Sequence, residues 1–333
     1  MSRYDNKQKD SQKTWLFLGG ALLLLLSLAI IKLLMSDDEE KPLMSAVQAT
    51  TPAKTTNLND ASGAMEYIYN APESENDIRY GYQWEILRTA LERTIPSYGP
   101  YSMKKSAFMP EKRQLFELEN NTQALTVMYL STTRDMEKKL LPVRIPVDKN
   151  LGGYCIMLIR KEDQDRFSKI RTLEQLEKTP IGLGNGWIDV DILRFNHFNI
   201  VTGSDYEGLF RMLANKRFDA FSRSAVEILD EYSSRQKQLP DLKIEDSLLL
   251  YYPLPMYFWF AKTEQGKRLA ERAREGMEGM LRDGTYDSIF NYYQGYKTEK
   301  LHLKKRRLLK VENPFLSEET PFDDKRLWYD PIN

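Results

Sequence analysis

Apolar positions along the chain fall into three regimes. Residues 15–35, WLFLGGALLLLLSLAIIKLLM, make one apolar run whose only charge is Lys32. Residues 36–62 begin with Asp37-Asp38-Glu39-Glu40 and continue in Ala, Thr, Ser and Asn without a sustained apolar period. From Met65 onward, short apolar stretches alternate with segments of helical spacing. A run of about 21 apolar residues crosses a hydrocarbon core as a helix. Arg3, Lys7, Lys9 and Lys13 precede it and four acids follow it, so the positive-inside rule puts the N-terminus in the cytoplasm. The expected order is a cytoplasmic N-terminus (1–14), a transmembrane anchor (15–35) and a flexible linker (36–62), followed by an extracytoplasmic domain. A cleaved signal peptide is the rival reading, but the apolar run exceeds the usual h-region of about 7–15 residues.

The third regime predicts α/β layers. Strands are expected at 65–69, 102–108, 125–130, 153–159, 181–183, 200–201 and 218–221. Helices are expected at 82–94, where Trp84, Leu87, Ala90 and Leu91 keep helical spacing, and at 111–119, 134–141, 173–178, 188–195, 205–215, 225–233 and 265–282. Residues 248–261 form a long apolar segment broken by Pro253 and Pro255. About 230 residues is large for one core, so two lobes are expected.

Basic and acidic residues balance at 48 each, which leaves no net field for nucleic acid. The single cysteine, Cys155, sits in an apolar run and reads as buried. His197 and His302 have no cysteine or histidine nearby in sequence. Zinc chemistry and Cys–His or Ser–His catalysis are therefore not expected, no cofactor is indicated, and no convergent catalytic set suggests an enzyme.

Three stretches carry a resemblance. They are Ser131-Thr132-Thr133-Arg134-Asp135-Met136-Glu137-Lys138 running on to Leu141-Pro142-Val143, then Ile181-Gly182-Leu183-Gly184-Asn185-Gly186-Trp187, and Leu281-Arg282-Asp283-Gly284-Thr285-Tyr286-Asp287-Ser288-Ile289. In this order they resemble the T-x-x-R segment, the second-lobe glycine turn and the DGTY-x-x-I signature of extracytoplasmic solute-binding proteins of family 3. That family binds amino acids and has the type II periplasmic-binding-protein fold. The resemblance implies a two-lobed clamp, with one lobe from about 63–150 and 255–297 and the other from about 151–254, which closes on a ligand by hinge motion.

It also implies site residues. Arg134, with Ser131 and Thr132, would hold a ligand carboxylate. Asn185, Gly186 and Trp187 would present the second-lobe turn, and Ser222 and Ser224 would line the same groove. Asn70 and Tyr69 would come from the first loop, where Tyr69, Tyr80 and Tyr82 are candidates for an aromatic wall. Ser224 stands where amino-acid binders carry the acid for the ligand's ammonium, beside Arg223, so a small polar or anionic ligand is expected instead.

The remaining residues, 298–333, hold Lys304-Lys305-Arg306-Arg307 among leucines and then large apolar groups between prolines. They are expected to pack on the domain or on a partner. Two functions fit: a membrane-tethered binder for transport or sensing at the inner membrane, or a structural or regulatory subunit that uses the fold to contact an envelope protein.

Overall fold

A computed structural model of the chain describes residues 64–71 and 81–332. The anchor and linker expected at 15–62, and the first loop at 72–80 with Tyr80, lie outside the described residues. No helix among the described residues is long and apolar enough to cross a membrane.

The first lobe contains β1 (Met65–Tyr69), α1 (Gly81–Arg93), β2 (Tyr101–Lys105), α2 (Glu111–Glu119), β3 (Met128–Ser131), α3 (Arg134–Lys139) and β4 (Leu140–Val143). The second contains β5 (Tyr154–Arg160), β6 (Ile181–Gly184), α4 (Ile188–Phe195), β7 (Ile200–Gly203), α5 (Tyr206–Ala214), β8 (Ala220–Ser224), α6 (Ile228–Arg235), β9 (Leu242–Ile244) and β10 (Leu248–Tyr251). The chain returns to the first lobe through β11 (Met256–Ala261), α7 (Glu264–Asp283) and α8 (Thr285–Phe290). It then reaches the second lobe again with α9 (Tyr296–Lys300) and β12 (Arg307–Lys310).

β1 pairs with β2, and β11 lies between β3 and β4; a bridge from Tyr69 to Val127 joins the two groups into one layer. The second-lobe sheet runs β12-β10-β5-β8-β6-β7, with β9 also on β5. The place of β5 explains why its sequence is apolar throughout. Tyr154, Ile156 and Leu158 face one core while Cys155, Met157 and Ile159 face another, so both sides of the strand are covered. β11 does the same in the first lobe, with Phe258 and Phe260 on one side and Tyr257 and Trp259 on the other.

One expected helix is shorter than its periodicity suggested. Residues 134–141 divide into α3 and β4, because Pro142 cannot continue a helix and is tolerated at the sheet edge where β4 lies. Two segments cross between the lobes, 144–153 and 252–255. They are bonded to each other, since Leu254 N–H donates to Asn150 Oδ1 at 2.7 Å. The 283–286 motif secures this crossing to the first lobe. Gly284 ends α7 in the left-handed conformation (φ 80°), which a side chain would oppose, and Asp283 accepts from Thr285 N–H. Tyr286 is then buried and donates its hydroxyl to the Val147 carbonyl at 2.8 Å, where Tyr82 also donates at 2.6 Å.

Beyond β12 the tail runs over both lobes. Asn196 at the end of α4 donates to the Glu312 carbonyl and Asn313 to the Pro253 carbonyl. Arg134 N–H donates to the Phe315 carbonyl, and Ser317 donates to Glu137 on α3. Arg144 pairs with both Glu137 and Glu319, and Tyr329 N–H returns to the Lys149 carbonyl at 2.8 Å. The tail thus touches the second lobe, the crossing segments and the first lobe in turn.

Candidate functional site

A cleft of about 660 Å³ opens where the lobes and crossing segments meet. The first lobe contributes the start of α1 (Tyr82, Gln83), Glu111 and Leu115 of α2, the β3 end (Tyr129, Leu130, Ser131), and Thr133 and Met136 around α3. The second contributes Cys155, the turn Gly186-Trp187, Asp189 and Asp191 of α4, Ser222-Arg223-Ser224, and Glu227 and Asp230. Asp148 and Gly152 come from a crossing segment, and Tyr292, Tyr293, Gln294, Tyr296 and Lys297 from the helical stretch after α8.

Of the ten residues expected from sequence, Ser131, Gly186, Trp187, Ser222 and Ser224 line this cleft. Five lie elsewhere. Tyr69 packs against Trp84 at a centroid distance of 4.6 Å, and Asn70 is buried with its Oδ1 unpaired among the described residues. Thr132 is fully buried and donates to Glu137 at 2.7 Å. Asn185 is exposed, its N–H bonded to the Gly203 carbonyl. Arg134 is exposed, and its guanidinium donates to the Pro314 carbonyl in the tail.

The helix cap explains where Arg134 lies. Thr133 is the N-cap of α3 and accepts from Met136 N–H at 3.1 Å. A T-x-x-R spacing counted from this threonine ends on Met136, which faces the cleft, whereas Arg134 at the first helical position faces the tail.

The second-lobe turn is shaped around Trp187. Gly184 has no room for a side chain, because a Cβ there would overlap the Trp187 ring. The ring stacks over Phe221 and carries the Arg223 guanidinium on its face at 4.7 Å. Arg223 is buried and donates to Glu231 at 2.6 Å and to Glu227 at 2.8 Å. Burial opposes its charge, but these carboxylates more than offset that and hold its pKa above the ordinary value. Lys297 is committed similarly, to Asp230 at 2.6 Å and the Val226 carbonyl at 2.7 Å.

Two further groups were not expected at the cleft from sequence. Asp148 is buried and accepts from Gly152 N–H at 2.7 Å and Asn150 N–H at 3.0 Å. Burial nevertheless raises its pKa to about 7. Cys155 donates to the Tyr252 oxygen at 3.3 Å and Tyr252 donates to Asp189 at 2.6 Å; burial, with Asp189 close by, pushes the thiol up to about 12. It is a poor nucleophile there. Asp148 stands in a sequence stretch, Pro146-Val147-Asp148-Lys149, that reads as a surface turn until the fold buries it.

Solved structures share this architecture. An ancestral arginine-binding protein bound to arginine superposes with a TM-score of 0.52 at 17% identity, covering 70% of this chain and 98% of its own. An amino acid ABC transporter substrate-binding protein from Streptococcus pneumoniae, bound to L-arginine, gives 0.52 at 14% identity, covering 69% and 94%. A structure from glutathione import via GshT and the cystine ABC importer TcyBC of Streptococcus mutans gives 0.51 at 16%, covering 70% and 96%. No protein-family model and no curated protein sequence matches the chain. The described chain therefore has the two-lobed α/β fold of the periplasmic binding proteins, type II.

Proposed function

We propose that the protein is a membrane-tethered, extracytoplasmic binder that holds a small polar ligand between its lobes for transport or sensing. The observation that carries this reading is the cleft itself. It lies at the lobe junction, it has the volume of a small-molecule site, and convergent polar groups from both lobes and the crossing segments face into it. Two neighbours that share the fold were solved with arginine bound, which supports the same use of the cleft here. The apolar run at 15–35 and the charges flanking it support the tether and the orientation, N-terminus in the cytoplasm and main domain outside the inner membrane.

The site is refined from the sequence expectation. Ser131, Gly186, Trp187, Ser222 and Ser224 stay in it, and Met136, Asp148, Asp189, Gln294 and the tyrosines of 292–296 join them. A thermal-shift screen of the full chain in detergent tests the reading. A ligand that binds only the folded state raises the melting temperature, by about 2.7 kcal/mol of stabilisation at 100 times its Kd. A cleft ligand should lose this effect in Ser224→Trp, which fills the groove.

One observation favours the second reading, a non-catalytic subunit of an envelope complex. The tail bonds to α3, a crossing segment and α4 in turn, ties that would resist parting of the lobes. If no small molecule stabilises the chain and crosslinking in membranes captures one protein stoichiometrically, that reading replaces the first.

A further inference from the structure

We propose that the cleft takes an organic cation that carries no carboxylate, such as an alkylamine, a diamine or a guanidine. The proposal rests on the reading of the cleft as a ligand site and names the class of ligand.

Three observations lead there. The first is charge. Among the described residues, Glu111, Asp189, Asp191, Glu227 and Asp230 line the cleft, with Asp148 kept protonated by burial up to about pH 7, against only Arg223 and Lys297. Both cations are already bonded to carboxylates, Arg223 to Glu227 and Glu231, Lys297 to Asp230. At these two cations a ligand carboxylate would have to displace one of the acids, and a buried charge without a counter-charge is costly. Another cation near the wall, Lys112 beside Gly186, is exposed at its rim.

The second is the arrangement of the two places where an anion would be expected to bind. The cap at Thr133 turns Met136 towards the cleft, while Arg134 donates its side chain and its backbone N–H to tail carbonyls outside it. On the other lobe, the N-terminus of α4 carries its own acids, Asp189 and Asp191, in the first turn. These satisfy the positive end of the helix dipole and oppose an incoming anion.

The third is the rest of the wall. Tyr82, Tyr129, Tyr292, Tyr293 and Tyr296 line the cleft together with Trp187. Aromatic faces near carboxylates attract ammonium and guanidinium groups. Gln294 adds a buried amide to the same wall, its oxygen without a partner among the described residues.

Matched pairs that differ by one carboxylate test this directly. Isothermal titration of the full chain in detergent would compare agmatine with L-arginine and cadaverine with L-lysine, with succinate as the anion. The amine of at least one pair should bind on the order of 100-fold tighter than its amino acid, the effect of an unpaired buried carboxylate. Met136→Arg should reverse that preference by placing a guanidinium at the cleft. Asp191→Asn, at an exposed position where folding is not at risk, should weaken the amine about tenfold. Amino acids binding as tightly as their amines, or succinate binding while the amines are silent, would overturn the class and leave the ligand site standing. Silence from amines, amino acids and succinate alike would also overturn the class, and the ligand site is then judged by the wider thermal-shift screen.

Discussion

Arg223 is the group whose removal should be felt most in the second lobe. Its side chain is 5% exposed and that of Glu231 2% exposed, and Arg223 makes two bonds to Glu231 and one to Glu227. Arg223→Met keeps much of the volume over Trp187 and Phe221 but leaves Glu231 buried without its cation. Breaking a buried pair from one side costs about 3–5 kcal/mol, whereas replacing both partners by apolar groups is often close to neutral. Equilibrium urea unfolding should therefore show Arg223→Met down by about 3–5 kcal/mol, which is a large part of a typical total stability of about 5–15 kcal/mol. The double variant Arg223→Met, Glu231→Leu should recover a good part of that loss, although the Tyr206 hydroxyl then loses its acceptor on Glu231. A loss below about 1 kcal/mol in Arg223→Met, the range of an exposed pair, would refute the reasoning.

Three other expectations follow from the site. Asp148 keeps its proton in the folded state up to about pH 7, while in the unfolded chain it loses it near pH 4. The unfolded state thus binds fewer protons between these values, and stability falls as pH rises from about 4 to 7, then levels off. Asp148→Asn should flatten that slope in urea titrations at a series of pH values, and an unchanged slope would assign it to other groups. Gly184→Ala should push the Trp187 ring off the strand end, seen as a change in tryptophan fluorescence and a loss of about 1–3 kcal/mol from overpacking. Removing residues 312–333 frees Arg134, Glu137 and Arg144 of their tail partners. Small-angle scattering should then show a larger radius of gyration in the ligand-free chain, and an unchanged radius would mean the tail does not restrain the lobes.

Much of the layer structure was legible because burial leaves a local trace. The runs of β5 and β11 are apolar at nearly every position, as strands covered on both faces must be, and the glycine of 283–286 marks a helix stop that the chain makes there. The cleft lining was legible only where a turn or a strand end fixes direction, as at Gly186-Trp187 and Ser222–Ser224. Arg134 shows the limit. Ser131, Thr132 and Thr133 offer three starting points for one spacing, and only the hydrogen bond from Met136 N–H selects Thr133. Arg272 shows another limit, since in sequence it belongs to the charged pattern of α7, yet it is fully buried and donates to Thr94 and to the Gly99 carbonyl. Such partners are far apart in sequence, and no local pattern announces them. The path of the tail was hidden for the same reason.

The claim that the cleft holds a small polar ligand is tested most directly by native mass spectrometry of the full chain released from detergent. After equilibration with a cell's small-molecule extract, the protein should carry one small polar molecule per chain, and Ser224→Trp should carry none. A chain that stays bare, or equal loading of both proteins, would contradict the account.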